Sequence, residues 1–243
     1  MREKIVLVFV FVLVTGLVYS ITVEEVLKKN YEARGGLEKL KSIKSIYIEG
    51  KIINTQQNVE MPMKIWFKRP NKMKMEVEMM GKKIVQSYDG KNAWWIMPFL
   101  GPEPRLMPEE QAKSFKEQGQ SLSPLVDYKE KGIKIELIGK DDFEGTPVYK
   151  LKLTYRSGKI VYYYLDAETG IELKTEAFVS RGGEERKVET IFSDYKEVDG
   201  VYFPFSMETK TGDINSGNMV FDKIILNKSI PDSIFEMPAN TKK

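Results

Sequence analysis

Between residues 45 and 226 apolar side chains recur at every second position, a spacing that gathers them on one face only in a β-strand. The pattern is sharpest over 59–79. Val59, Met61, Met63, Ile65 and Phe67 alternate with Glu60, Pro62, Lys64, Trp66 and Lys68. After a turn at Lys68-Arg69-Pro70-Asn71, Met73, Met75, Val77 and Met79 alternate with Lys72, Lys74, Glu76 and Glu78. Methionine suits a pleated surface less well than branched residues do. Its flexible thioether instead repacks around variable partners. This face therefore has two readings, an ordinary core or a wall that receives a greasy ligand.

The strands continue on both sides of this pair. Ile46, Ile48, Gly50 and Ile52 share one face of a strand before it, and short connections lead on to runs at 83–88 and 93–96. Gly81-Lys82 and Asp89-Gly90 mark tight hairpins. Further runs follow at 133–137, 148–155, 160–165, 171–179, 187–195, 202–209 and 219–226, separated by Gly- and Asp-rich turns such as Asp166 to Gly170 and Gly182-Gly183. About eleven antiparallel strands with a few short helices are expected, in a strongly curved sheet that encloses a cavity unless helices fill it. Thr22 and Glu25 form a capping box ahead of an amphipathic helix that Gly35-Gly36 ends, and Leu37 to Leu40 adds a turn. Phe235 docks an extended tail.

The meander breaks after Trp94-Trp95. Pro98, Pro102, Pro104 and Pro108 argue against regular structure there. Yet Phe99, Leu100, Leu106 and Met107 are too apolar for a solvated loop. The stretch either packs back over the sheet or presents apolar groups to a membrane or partner. Pro108-Glu109-Glu110 opens a second helix with Ala112 and Phe115 on its apolar side. Residues 123–128, with Leu125, suggest one more helical turn. The 97–128 region is a candidate lid, with Phe99, Leu100, Leu106, Phe115 and Leu125 as its apolar contacts.

Composition removes several classes of chemistry. The chain has no cysteine and no histidine, which excludes disulfides, thiolate nucleophiles, Cys/His zinc sites and Ser-His-Asp triads. Net charge is +3 with both signs interspersed, so no basic face for nucleic acid is advertised. The adjacent carboxylates Asp141-Asp142 and Glu184-Glu185 are the candidates for a hydrolase, and both pairs sit in hydrophilic turns where solvated charge is the ordinary role. No catalytic residue, metal ligand or cofactor is assigned.

Residues 1–20 have the form of a secretory signal: Arg2 and Lys4, an apolar run over 5–19, and Val18-Tyr19-Ser20 before the cleavage point. The run is short for a membrane span. A periplasmic protein with one domain over 21–243 is expected, the alternative being retention of an N-terminal anchor.

Trp66-Phe67-Lys68-Arg69-Pro70-Asn71, followed by Ser87-Tyr88-Asp89-Gly90-Lys91-Asn92-Ala93-Trp94-Trp95-Ile96-Met97-Pro98-Phe99, resembles the LolA-like family of periplasmic lipoprotein carriers. Ala33 to Leu40 and Asp194-Tyr195 with Gly200-Val201-Tyr202-Phe203-Pro204 resemble the broader group of outer-membrane lipoprotein-sorting proteins. The resemblance implies an unclosed β-barrel covered by helices, with a cavity for acyl chains. Its wall would be Met61, Met63, Ile65, Phe67, Met73, Met75, Val77, Met79 and Trp94. By motif position Arg69 would hold the lid closed through hydrogen bonds to lid backbone; an exposed turn residue is the other reading. The opening helix and the Pro-rich loop fit the broader group better than LolA itself, which leaves the cargo open between lipoprotein and lipid. With no cysteine to lipidate, a soluble monomeric shuttle fits better than an anchored acceptor. Its partners would be an inner-membrane release complex and an outer-membrane acceptor. An envelope-stress sensor that binds a signalling partner with the same fold is the alternative function.

Overall fold

A computed structural model describes residues 21–57, 59–119, 124–181, 184–212 and 214–239. The signal sequence expected over 1–20 and the turn expected at Gly182-Gly183 lie outside the described residues. Helices α1 (Val23–Ala33) and α2 (Leu37–Ser42) precede strands β1 (Ser45–Asn54), β2 (Val59–Lys68), β3 (Lys72–Met79), β4 (Lys82–Tyr88), β5 (Ala93–Met97) and β6 (Gly101–Leu106). Helix α3 (Glu109–Gly119) leads to β7 (Lys134–Phe143), β8 (Thr146–Thr154), β9 (Ile160–Asp166), β10 (Glu172–Arg181), β11 (Glu184–Val198), β12 (Val201–Thr211) and β13 (Ile214–Leu226).

All thirteen strands belong to one antiparallel sheet, in the order β6-β5-β4-β3-β2-β1-β13-β12-β11-β10-β9-β8-β7. Every neighbouring pair except β1–β13 is a hairpin between consecutive strands. Pairing β6 with β7 would turn this meander into a closed barrel. Instead the chain leaves edge strand β6 and re-enters at edge strand β7 through α3 and the turns of 124–132. The barrel is open where its one long connection lies. The unpaired edges carry features that discourage further pairing: Pro102 and Pro104 on β6, and on β7 a bulge between Leu137 and Gly139.

The Pro-rich stretch is thus a strand in part, contrary to the expectation from its prolines. An edge strand needs backbone donors on one side only, so proline is tolerated there. Among the described residues the strand count is thirteen rather than about eleven, β6 being one strand not expected from the sequence. Residues 124–128 are turns and not a helical extension.

The capping box forms: the Thr22 side chain accepts from the Glu25 N–H at 3.2 Å, while the Glu25 carboxylate accepts from the Thr22 N–H at 2.7 Å. A cap of this kind stabilises a helix by about 1 kcal/mol. Gly35, at φ +105°, then turns the chain against the β11–β12 hairpin; a Cβ at this position would fall 2.1 Å from the Gly200 carbonyl oxygen. Only glycine fits there.

Two apolar clusters fill the concave side. One joins β1, β2, β3, β12 and β13 to Leu40, Ile43, Met107, Phe115 and Val126. The other joins α1, β7, β8 and β9 around Leu125, which is fully buried. The tail packs on the opposite, convex side, where Phe235 is fully buried and its carbonyl accepts from Ser87 Oγ at 2.9 Å and from Trp94 Nε1 at 2.7 Å.

Asp232 clamps this tail to the sheet, with Lys68 Nζ at 2.6 Å and Lys72 Nζ at 2.8 Å. Hydrogen bonds from these two lysines hold its carboxyl at about 2, below the ordinary 3.8. A carboxylate with a depressed folded pKa contributes stability above its unfolded pKa and loses it as pH falls through the folded value. Tail docking should therefore weaken between about pH 4 and about pH 2, read as a change in Trp94 emission. Asp232→Asn should lack this component, and an acid profile identical to wild type would rule the clamp out.

Candidate functional site

The strand register places the concave face in rows that cross the sheet. Ile46, Phe67, Met73, Tyr88 and Ala93 form one row, and Ile48, Ile65, Met75, Gln86 and Trp95 the next. Gly50, Met63, Val77 and Ile84 form a third. A fourth runs on from β1 and β2 to two further strands, with Met207 on β12, Met219 on β13, Ile52 on β1 and Met61 on β2. The first and last rows differ most in exposure. In the first row Ile46, Met73, Tyr88 and Ala93 are buried, whereas all four members of the last row are half-buried. Helix α3 explains the difference. Met107 and Phe115 are buried against the first rows, with Ala112 packed beside them, and the last row lies beyond this cover.

The sequence-derived wall therefore divides three ways. Met63, Ile65 and Met73 are packed into the core, at 2%, 6% and 4% exposure. Met61, Phe67, Met75, Val77 and Met79 are half-buried. Trp94 is a correction: it pairs with Ser87 and faces the convex side beneath the tail, and Trp95 takes the concave position opposite Gln86. Met207 and Met219 escaped the sequence reading, although both sit in the alternating pattern of their strands. Nothing local to those strands reveals that they adjoin Met61.

The residues expected to form a lid divide as well. Phe115 and Leu125 are buried, while Phe99, Leu100 and Leu106 are exposed at 47%, 74% and 59%. Leu125 enters the core from the turns of 124–132, where its carbonyl accepts from the Tyr31 hydroxyl at 2.6 Å. Burial drives that hydroxyl's pKa above the usual tyrosine range, the nearby Tyr128, Asp127 and Glu130 adding to it.

Arg69 lies at the β2–β3 turn and bridges to this same segment. Its Nε donates to the Ile43 carbonyl at 2.8 Å and its Nη1 to Asp127 Oδ2 at 2.7 Å. Lys131 Nζ reaches the same carboxylate oxygen at 3.3 Å. Burial holds the Lys131 ammonium below its ordinary pKa, with the Asp127 carboxylate opposing the shift. The contact from Arg69 to the 97–128 region is thus a partly buried ion pair with the Asp127 side chain, and its backbone partner is the end of α2. A guanidinium can do both because its donors diverge in a fixed plane.

A cleft of about 1120 Å³ opens beside α3. Its walls come from both sides of the gap in the barrel: Ala93 and Leu106 from the β5–β6 side, Ile133 and Tyr155 to Ser157 from the β7–β9 side. Arg69, Lys113, Lys116 and Lys131 line it between these edges. The methionines of β2 and β3 do not line this cleft, which meets the first apolar cluster at Ala93, Met107 and Ala112 and the second at Ile133 and Tyr155. A Lys159–Glu117 pair at 3.9 Å ties α3 to the β8–β9 hairpin across the opening.

The paired carboxylates lie on exposed turns and strand ends. The Asp142 N–H holds the Asp141 carboxyl below the usual range, opposite to what a general acid requires. Glu184 pairs with Arg186 at 2.8 Å.

The architecture has close counterparts among solved structures. A DUF1329 family protein from Desulfovibrio piger is 14% identical at TM-score 0.60, covering 86% of this chain and 97% of that one. A LolA superfamily protein from Nitrosomonas europaea matches with the same identity and TM-score over 89% of this chain and 98% of that one. A putative outer membrane lipoprotein-sorting protein domain from Vibrio parahaemolyticus, also 14% identical, reaches TM-score 0.59 over 87% and 94%. No curated protein matches the sequence. A family model described as that of an uncharacterized protein matches residues 63–239, most of the chain, so the protein belongs to that family, and its fold is the LolA-like one.

Proposed function

We propose that this protein is a soluble periplasmic carrier, one domain over 21–243. It shelters the acyl chains of a lipoprotein or lipid on its concave face and transfers them towards the outer membrane. The observation that supports this most is the half-exposed row Met207–Met219–Ile52–Met61, a greasy and adaptable surface at the edge of the α3 cover. Each methylene taken from water contributes about 0.8 kcal/mol, so a ten-carbon stretch supplies about 8 kcal/mol before ordering costs are subtracted. Affinity of that kind needs no polar contact. It does need α3 and the 124–132 turns to move, and the Arg69–Asp127 bridge is the contact such a motion would break.

The concave rows offer thioether, aliphatic and aromatic groups but no nucleophile beside a base, so the reading is binding and not catalysis. An inner-membrane donor and an outer-membrane acceptor are the partners a soluble carrier requires. The direct test is titration of delipidated protein with a fluorescent fatty acid. Saturable binding in the micromolar range, reversed by unlabelled lipid, is expected. Absence of saturable binding to fatty acids, lysolipids and acylated peptide alike would remove the carrier reading.

A further inference from the structure

We propose that the cleft in the gap between β6 and β7 is a headgroup site for an anionic amphiphile, one carrying a phosphate or carboxylate at the end of its acyl chain. This rests on the carrier reading and adds the class of cargo to it. The cleft walls hold seven Lys and Arg side chains against four Asp and Glu. The acids are largely spoken for: Asp127 by Arg69 and Lys131 at 2.7 and 3.3 Å, Glu117 by Lys159 at 3.9 Å, and Glu130 by Lys41 at 4.0 Å. Among the described residues, no carboxylate forms an ion pair with Lys91, Lys113, Lys116 or Arg156.

These four cations are not scattered over a free surface. They come from the β4–β5 hairpin, from α3 and from the β8–β9 hairpin, and the open barrel brings all three to one mouth. Two are fixed by neighbours. The Lys116 ammonium lies 5.7 Å from the centre of the Tyr88 ring. The Arg156 guanidinium lies on Gly132, where a Cβ would meet Nε at 2.2 Å; any side chain there would push the guanidinium away. The floor of the same cleft is apolar. Ala93, Met107 and Ala112 belong to the cluster that contains Met63, Met73 and Met75. A cationic rim over an apolar floor matches a molecule with a charged head and a greasy tail. Charge-assisted hydrogen bonds in such a partly enclosed site are stronger than on open surface. Burial of the Lys131 ammonium at the inner end would also be offset by an anion.

The experiment uses the delipidated protein and two lysolipids with the same acyl chain, lysophosphatidylglycerol and zwitterionic lysophosphatidylcholine, titrated below their micelle concentrations. Tighter binding of the anionic lipid by about tenfold is expected, narrowing at high salt. Lys113→Gln with Arg156→Gln should reduce the preference to under about threefold while leaving lysophosphatidylcholine affinity in place. Equal affinity for the two lipids overturns the headgroup site and leaves the carrier reading standing, whereas no binding of either overturns both. Inorganic phosphate tests the remaining source of such an anion. If it displaces lysophosphatidylglycerol at equal concentration, the cleft is a free-anion site and the headgroup assignment fails.

Discussion

Replacing Arg34 with leucine is expected to destabilise the protein by about 3–5 kcal/mol, read as a fall in the urea midpoint at constant slope. Arg34 caps the C-terminal end of α1 and is buried beneath it. Its Nη1 lies 3.4 Å from Glu172 Oε1, with side chains 6% and 11% exposed. The guanidinium also stands 5.8 Å from the centre of the Phe203 ring. The Glu172 backbone is fixed separately, its carbonyl accepting from the Tyr195 hydroxyl at 2.7 Å. Removing the cation therefore leaves a carboxylate that cannot easily swing into water. Total stabilities of about 5–15 kcal/mol make this a large fraction. The pair need not be stabilising in itself, because desolvation of two charges offsets most of their attraction. Arg34→Leu combined with Glu172→Met should consequently recover most of the loss. A double variant no more stable than the single one would show that the guanidinium acts through packing on Phe203 and not through charge.

Arg34 shows where sequence reasoning stops. The Thr22–Glu25 box and Gly35-Gly36 mark the start and stop of its helix from local chemistry alone. Its partner, 138 residues away, is invisible to any local rule. The same division runs through the fold. Period-two alternation set the bounds of β2 and β3 almost to the residue, since one face of each is apolar and the other charged. It misjudged β6 because prolines were weighed as if in a central strand. It misjudged the face of Trp94 because an aromatic doublet alternates either way. The four-residue turn at 89–92 settles that choice by pairing Tyr88 with Ala93, which sends Trp95 inward. The closing pair β1–β13 joins the two ends of the meander, so the neighbourhood of Met61, Ile52 and Met219 could not be read from either segment.

The connection from β6 to β7 has a double consequence for the site. Because it is long enough to hold α3, it covers the first rows of the concave face, and because it replaces a strand pairing, it leaves a gap. A barrel closed by a sixth-to-seventh hairpin would have neither this cover nor this gap. The exposed Phe99 and Leu100 belong to the hairpin before this connection and contribute nothing to the cover. The packed cover is made by Met107, Phe115, Leu125 and Val126, all buried.

Met61→Glu together with Met219→Glu is expected to reduce affinity for an acyl chain by at least a hundredfold while leaving the fold in place. Both residues are half-exposed and flank Ile52 in the outermost row. In the free protein each carboxylate can reach water, so the cost to stability is that of a tolerated surface change, about 1 kcal/mol or less. With an acyl chain lying over the row, the same carboxylates would be shut away from solvent without partners. That penalty amounts to several kcal/mol per ion, and 1.4 kcal/mol already corresponds to about tenfold in affinity. The position of the substitution decides its value as a test. Met63→Glu would bury a charge at a site only 2% exposed and would unfold the protein whatever its function. Met61→Leu with Met219→Leu keeps the greasy surface and should retain affinity within about threefold, any loss reporting how far the thioether's adaptability matters. If the glutamate variant folds, with an unchanged urea midpoint, and still binds the probe as wild type does, acyl chains do not lie on this face.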